Sequence, residues 1–244
     1  FEIIAARLSR EFGLEFLTSF PSIAYRVCER GVDRIVRDAH EFPSNPDEVW
    51  EPMIAIEILV PSDYLQKVMQ LQTVFDITIG EVTTFGDALL LEGTMPLAEL
   101  IRDFDDQLKS VSAGFASFSY EPGGERKANS KKLEILVADE VVPALTRVVP
   151  QKDAEREGRR TAERLKDLLP KQQFVQAIQA RVDGRIIARE TISALKKDVT
   201  GYLYGGDRSR KMKLWKKQQR GKARLKEGGR VEISPELFRE ILKK

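Results

Sequence analysis

Apolar residues recur along this chain with two periods, one of three to four residues and one of two, and together they lay out the expected elements. Ile4, Leu8 and Phe12 share a helical face that Gly13 ends, and beyond Pro21 the alternation of Ile23, Tyr25 and Val27 predicts a strand. Between Arg37 and Pro52 the periodicity fades and prolines stand at positions 43, 46 and 52, which predicts a linker or domain border. The run Met53 to Val60 suits a buried strand, Pro61-Ser62-Asp63 a helix start, and Tyr64, Leu65, Val68 and Leu71 the stripe of a short helix. Ile77, Ile79 and Val82 lead into a turn at Gly86-Asp87, and Leu89 to Leu91 return toward Gly93-Thr94, after which Pro96 opens a second helix. There Leu97, Leu100, Ile101, Phe104, Leu108 and Val111 fall three or four apart, with Arg102, Asp103, Asp106 and Lys109 opposite and Gly114 placed as the stop. Phe115 to Tyr120 closes the unit. Strand, helix, strand, strand, helix, strand is the split βαβ order of ferredoxin-like domains, a fold that hosts many functions.

Gly123 and Gly124 punctuate the passage to a further strand at Leu133, Ile135 and Val137. Asp153 to Leu169 reads as a helix stopped by Pro170, with Ala154, Gly158, Ala162 and Leu165 as a narrow, closely packed face. Phe174 to Val182 and Arg185 to Thr191 flank Asp183-Gly184, a dipeptide that tolerates the positive φ angles of a two-residue hairpin turn. The expected fold class is α+β. Residues 1–45 form part of an α/β domain, 46–125 a ferredoxin-like domain, and 126–244 a basic α/β C-terminal domain. The 244 residues are enough for such a division.

Charge sharpens this division. Residues 1–125 hold 9 Lys and Arg against 22 Asp and Glu, whereas residues 126–244 hold 31 against 16. That asymmetry is expected when one end of a protein meets a polyanion, because neutralising phosphates requires clustered cations. The run from Tyr204 to Lys226 carries ten Lys and Arg, with Asp207 in opposition. Like charges at helical spacing repel by a few tenths of a kcal/mol per pair, so the run is expected to prefer order only against phosphate. Tyr204 and Trp215 add flat apolar surface suited to stacking on unpaired bases. Among other classes, anionic lipid could draw the same charges to a membrane surface, giving a peripheral protein. An RNA-binding assembly or regulatory protein that never had a nucleotide-binding domain is a further alternative.

Little else offers chemistry. No apolar stretch reaches the roughly 20 residues of a membrane-spanning helix. No signal sequence opens the chain, and its start at Phe1 rather than Met is expected of a piece of a longer protein. Cys28, the single cysteine, suggests a reducing compartment and a small buried side chain. His40, the single histidine, is expected as an exposed linker residue. Asp103, Asp105 and Asp106 match no metal-loop spacing, and no Gly-x-x-x-x-Gly-Lys-Ser/Thr loop is present to cradle a nucleotide. Neither catalysis, a metal nor a bound cofactor is therefore expected of this chain itself.

Two stretches resemble a known family. Pro96-Leu97-Ala98-Glu99-Leu100-Ile101, with Leu108-Lys109-Ser110, Ser112, Gly114 and Ala116-Ser117, is similar to the end of the domain that elongation factor 4 (LepA) shares with elongation factor G. Leu169-Pro170-Lys171-Gln172-Gln173-Phe174, Ala177 to Ala180, Ile186 to Thr191, Tyr204-Gly205-Gly206-Asp207 and Ser209-Arg210-Lys211 resemble that family's own C-terminal domain. The opening, with Arg7-Leu8, Arg10 to Leu14 and Pro21-Ser22, is similar to the end of the preceding domain, here residues 1–45. The chain departs from the family at Asp105, Ala113 and Pro150 to Asp153.

The resemblance implies the C-terminal portion of a translational GTPase, whose GTP and Mg would be held upstream of Phe1. It implies contact with large-subunit ribosomal RNA and the acceptor arm of transfer RNA, a monomer, and a role in back-translocation or ribosome maturation. A bacterial cytoplasm, mitochondrion or chloroplast would house it, with peripheral inner-membrane association as a variant. The RNA-contact residues expected are Arg189, Lys196, Lys197, Tyr204, Arg208, Arg210, Lys211, Lys213, Trp215, Lys216, Lys217, Arg220, Lys222, Arg224 and Lys226.

Overall fold

The computed structural model describes residues 2–14, 21–195, 200, 208–228, 231 and 233–242. The chain divides into two compact units, Pro21–Ser130 and Lys131–Lys244, the latter grouped with Phe1–Phe20. Helix α1 (Glu2–Phe12) forms as its spacing requires. It ends at Gly13 (φ +62°), with the Leu14 amide donating to the Leu8 carbonyl. Its apolar stripe leaves Ile4 and Phe12 exposed and Leu8 half-buried.

The first unit is a six-stranded antiparallel sheet. Its strands are β1 (Tyr25–Glu29), β2 (Val32–Val36), β3 (Glu48–Pro61), β4 (Thr78–Phe85), β5 (Ala88–Pro96) and β6 (Ser117–Lys127), ordered β2-β1-β3-β5-β4 with β6 on the other side of β3. The order β6-β3-β5-β4, with α2 (Leu65–Met69) after β3 and the helix α3 (97–111) after β5, is the ferredoxin-like arrangement expected from the sequence. Ile54, Ile56, Ile58 and Val60 alternate along β3 into a core with Leu91, Met95, Phe104 and Leu108. Phe104 sits at its centre, edge-on to Phe75 (5.4 Å between centroids) and Phe118 (5.7 Å).

The sheet crosses the border expected at 45/46. Arg26, Val27 and Cys28 of β1 pair with Trp50, Val49 and Glu48 of β3, so the β1–β2 hairpin extends the ferredoxin-like sheet. Ion pairs bind the same corner. Arg126 reaches Glu51 (2.7 Å) and Asp76 (2.6 Å), and Arg26 reaches Glu125 (2.7 Å) and Asp33 (3.1 Å). Burial works against the charge on Arg126, but hydrogen bonds to Asp76 and Glu51 outweigh it and hold its pKa above the usual guanidinium value.

Gly123 and Gly124 do not separate domains. They form a bulge inside β6, opposite the register shift between Pro52 and Ile54, and the strand runs on to Lys127. A Cβ on Gly123 would lie 2.8 Å from the Ala55 amide nitrogen, so Gly123 permits a close backbone approach, while Gly124 supplies the left-handed conformation of the bulge at φ +89°.

Within α3 the turn widens to a π-helical stretch over Leu100–Phe104. The extra residue in that turn shifts the strict 3.6-residue face. Phe104 and Leu108 are buried, Leu97, Leu100, Ile101 and Val111 only partly so, and Glu99 is buried 3.0 Å from Arg102 Nη2. The C-terminal cap also differs from expectation. The Gly114 amide donates to Lys109 O and the Ala113 amide to Ser110 O, a Schellman motif in which Ala113 takes the first left-handed position at φ +51°. A left-handed conformation costs an L-residue roughly 1–2 kcal/mol. Ala113→Gly is therefore expected to raise stability by up to about 1 kcal/mol in urea denaturation; a lower midpoint would contradict this assignment.

The second unit contains strands β7 (Ser130–Val137), β8 (Glu140–Val141), β9 (Arg147–Pro150), β10 (Gln176–Val182) and β11 (Arg185–Ile192), with the order β11-β10-β7-β8 and β9 pairing β7. The β10–β11 turn is the expected two-residue one, with Val182 opposite Arg185 and positive φ at Asp183 (49°) and Gly184 (78°). Helix α4 (Gln151–Leu168) buries Ala154, Gly158, Thr161, Ala162 and Leu165. A Cβ on Gly158 would meet Ala180 Cβ at 2.9 Å and Ile187 Cδ1 at 3.1 Å, so the missing side chain sets how closely α4 approaches the sheet. Gly158→Val is expected to cost about 1–3 kcal/mol by overpacking. A Tm equal to the parent's would refute it. Helix α6 (Pro235–Leu242) adds Phe238 and Ile241 to the same core.

Candidate nucleic-acid interface

From Arg208 onward the basic run is helical. Arg208–Gly228 forms helix α5, 21 residues and so about 30 Å long. Repulsion between like charges is not the only force on this segment. Lys, Arg, Gln, Leu, Met and Ala rank among the strong helix formers, which favours the helix against a repulsion of only a few tenths of a kcal/mol per like-charge pair. Gly221 is the exception; a Cβ there would meet nothing within 4 Å.

Exposure sorts the helix into sides. Lys211, Leu214, Gln218 and Lys222 recur at three- and four-residue steps and are half-buried. Lys222 Nζ donates to the Leu195 carbonyl at 2.8 Å, which ties this side to the segment after β11. On the outward side Arg210, Lys213, Lys217, Arg220 and Arg224 follow one another at steps of three, four, three and four, all exposed. They form one cationic stripe about 21 Å long. Lys216 lies exposed at its flank and Arg208 at the helix start. Trp215 is 53% exposed, on neither the stripe nor the packed side.

Not every expected contact residue joins this surface. Arg189 is exposed on the edge strand β11, opposite Gln179 of β10. Lys211 and Lys222 turn to the packed side, so their reach outward is limited. Lys226 belongs to the last turn of α5. Lys196, Lys197 and Tyr204, together with the Gly205-Gly206-Asp207 segment, lie outside the described residues. The 3–4 spacing of the stripe is visible in the sequence but reads as a surface only once the segment is known to be helical.

The other candidates are accounted for structurally. His40 is exposed in a short 3-10 turn capped by Asp38. Cys28 is half-buried rather than buried, and a hydrogen bond with Asp33, with some burial, pushes its thiol pKa up, against a reactive thiolate. Asp105 pairs with Lys109 at 2.8 Å. Among the described residues no group of three or more His, Cys, Asp or Glu is placed to hold a metal. None of the described helices is long and apolar enough to cross a membrane.

Fold and site define a class: a ferredoxin-like domain followed by a second α+β unit that presents a cationic helix. Comparison with known proteins narrows it. The family described as "Elongation factor G C-terminus" matches residues 48–136, and that described as "GTP-binding protein LepA C-terminus" matches 137–243. The chain is 42% identical over 238 residues to elongation factor 4 of Rubrobacter xylanophilus, covering 97% of this chain and 40% of that protein. It is 43% identical over 240 residues to elongation factor 4 of Thermobifida fusca, covering 97% of this chain and 39% of that protein. The chain belongs to the elongation factor 4 (LepA) family, matches its C-terminal portion, and spans about two fifths of the length of these relatives.

Proposed function

We propose that this chain is the ribosome-docking portion of a translational GTPase, and that α5 grips RNA through phosphate contacts made by Arg210, Lys213, Lys217, Arg220 and Arg224. The observation that carries this reading is five exposed cations in register on one helix face. It comes in a chain 42–43% identical to elongation factors 4. Large-subunit ribosomal RNA and the acceptor arm of transfer RNA are the partners the family suggests, and back-translocation or ribosome maturation the process. A cation row offers charge and positioning but no base-edge code, so it suits recognition by shape and phosphate. GTP and Mg2+ would bind outside this chain, whose sequence has no Gly-x-x-x-x-Gly-Lys-Ser/Thr phosphate loop.

Co-sedimentation with purified ribosomes tests the proposal, comparing the chain with a variant lacking Arg208–Gly228. Saturable binding that the deletion abolishes is the expected result. Equal pelleting of both forms would move the docking surface away from α5.

A further inference from the structure

The side of α5 between the cationic stripe and the packed side differs in chemistry from both. Met212 and Trp215 stand three residues apart, one turn along the helix, and are 48% and 53% exposed. Cations flank them on both sides, with Lys216 toward the stripe and Lys211 and Lys222 toward the packed side. Their neighbours one turn before and after are Arg208 and Gln219, so the apolar surface is a short shelf. A helix that lies in a lipid interface needs an apolar face along its length. A shelf of one indole and one thioether, edged by cations, instead matches one flat, polarisable, neutral ring carried on a charged backbone.

Resting on the RNA-binding reading above, we propose that α5 selects single-stranded over duplex RNA, with Trp215 stacking on an unpaired base and Met212 closing the shelf beside it. Base pairs in a duplex are already stacked on one another and offer the helix phosphates alone. An unpaired strand offers both phosphates to the stripe and a free ring face to the shelf, so it gains the second contact.

The test is binding of the whole chain to three RNAs of equal phosphate number: a single-stranded oligoadenylate, an abasic strand and a blunt duplex. Trp50, half-buried under the Arg26 guanidinium at 4.6 Å, is the other tryptophan, and Trp50→Phe leaves Trp215 as sole reporter. Oligoadenylate is expected to quench Trp215 emission. Trp215→Leu should weaken oligoadenylate binding about fivefold to a hundredfold. The abasic strand, the duplex and the salt dependence should be unaffected, and Trp215→Phe should retain most of the affinity. Stacking is overturned if Trp215→Leu leaves oligoadenylate affinity unchanged or weakens all three RNAs alike. It is also overturned if Trp215 emission responds to phosphatidylserine vesicles but not to RNA. Persistent, salt-sensitive binding of the abasic strand and duplex would then leave the phosphate grip standing. No binding of any RNA at low salt overturns both readings.

Discussion

Reversing the stripe with Arg210→Glu, Lys213→Glu and Lys217→Glu together is expected to lower ribosome affinity on the order of a hundredfold to a thousandfold. Two unit charges 4 Å apart in water interact by about 1 kcal/mol, and reversal exchanges that attraction for a similar repulsion. Three such exchanges give roughly 6 kcal/mol as an upper bound, which salt and the mobility of exposed side chains reduce. All three residues are exposed on α5, so the fold should survive, with circular dichroism and Tm close to the parent's. Undiminished affinity in a folded triple variant would remove the stripe from the binding surface.

The largest expected effect on stability comes from Phe104→Asp. Phe104 has 0% exposure and packs edge-on against Phe75 and Phe118, and its replacement both empties that volume and places a carboxylate there. Removing a core phenylalanine costs about 3–5 kcal/mol, and an unpaired buried polar group adds several more. A typical domain has 5–15 kcal/mol in total, so the ferredoxin-like unit should lose most or all of its stability. Leu100→Asp is expected to be clearly milder, because Leu100 is only partly buried after the π-helical stretch. Urea titration of the two variants gives the ordering; equal losses, or a stable Phe104→Asp, would refute this description of the α3 face.

These two residues also show where the sequence is readable. The β3 alternation, the Asp183-Gly184 turn and the small face of α4 follow from local periods and turn chemistry and are present, whereas the α3 stripe keeps Phe104 and Leu108 buried but is shifted by the π-helical stretch. Two of the differences depend on partners distant in sequence, and two on local effects that oppose each other. The pairing of β1 with β3 joins the first hairpin to the ferredoxin-like sheet, and no local pattern announces it. Only the approach of Ala55 explains Gly123, and a glycine pair looks the same in a linker and in a bulge. Ala113 in a left-handed cap is invisible because the residue type argues against it. In α5 repulsion and propensity oppose each other, and weighing the first alone hides the helix that aligns the cations. The charge asymmetry and the family resemblance both single out the segment that forms α5; the 3–4 register of its outward side emerges with the helix.

The most direct test of the central claim is the salt dependence of ribosome affinity for the unmodified chain. Five phosphate contacts, each releasing about 0.7–0.9 counterion, predict a slope of log K against log salt near −3.5 to −4.5. The triple reversal should flatten that slope by about 2–3. A slope near zero, or one that the reversal leaves unchanged, would contradict a grip on RNA made through the phosphates by α5.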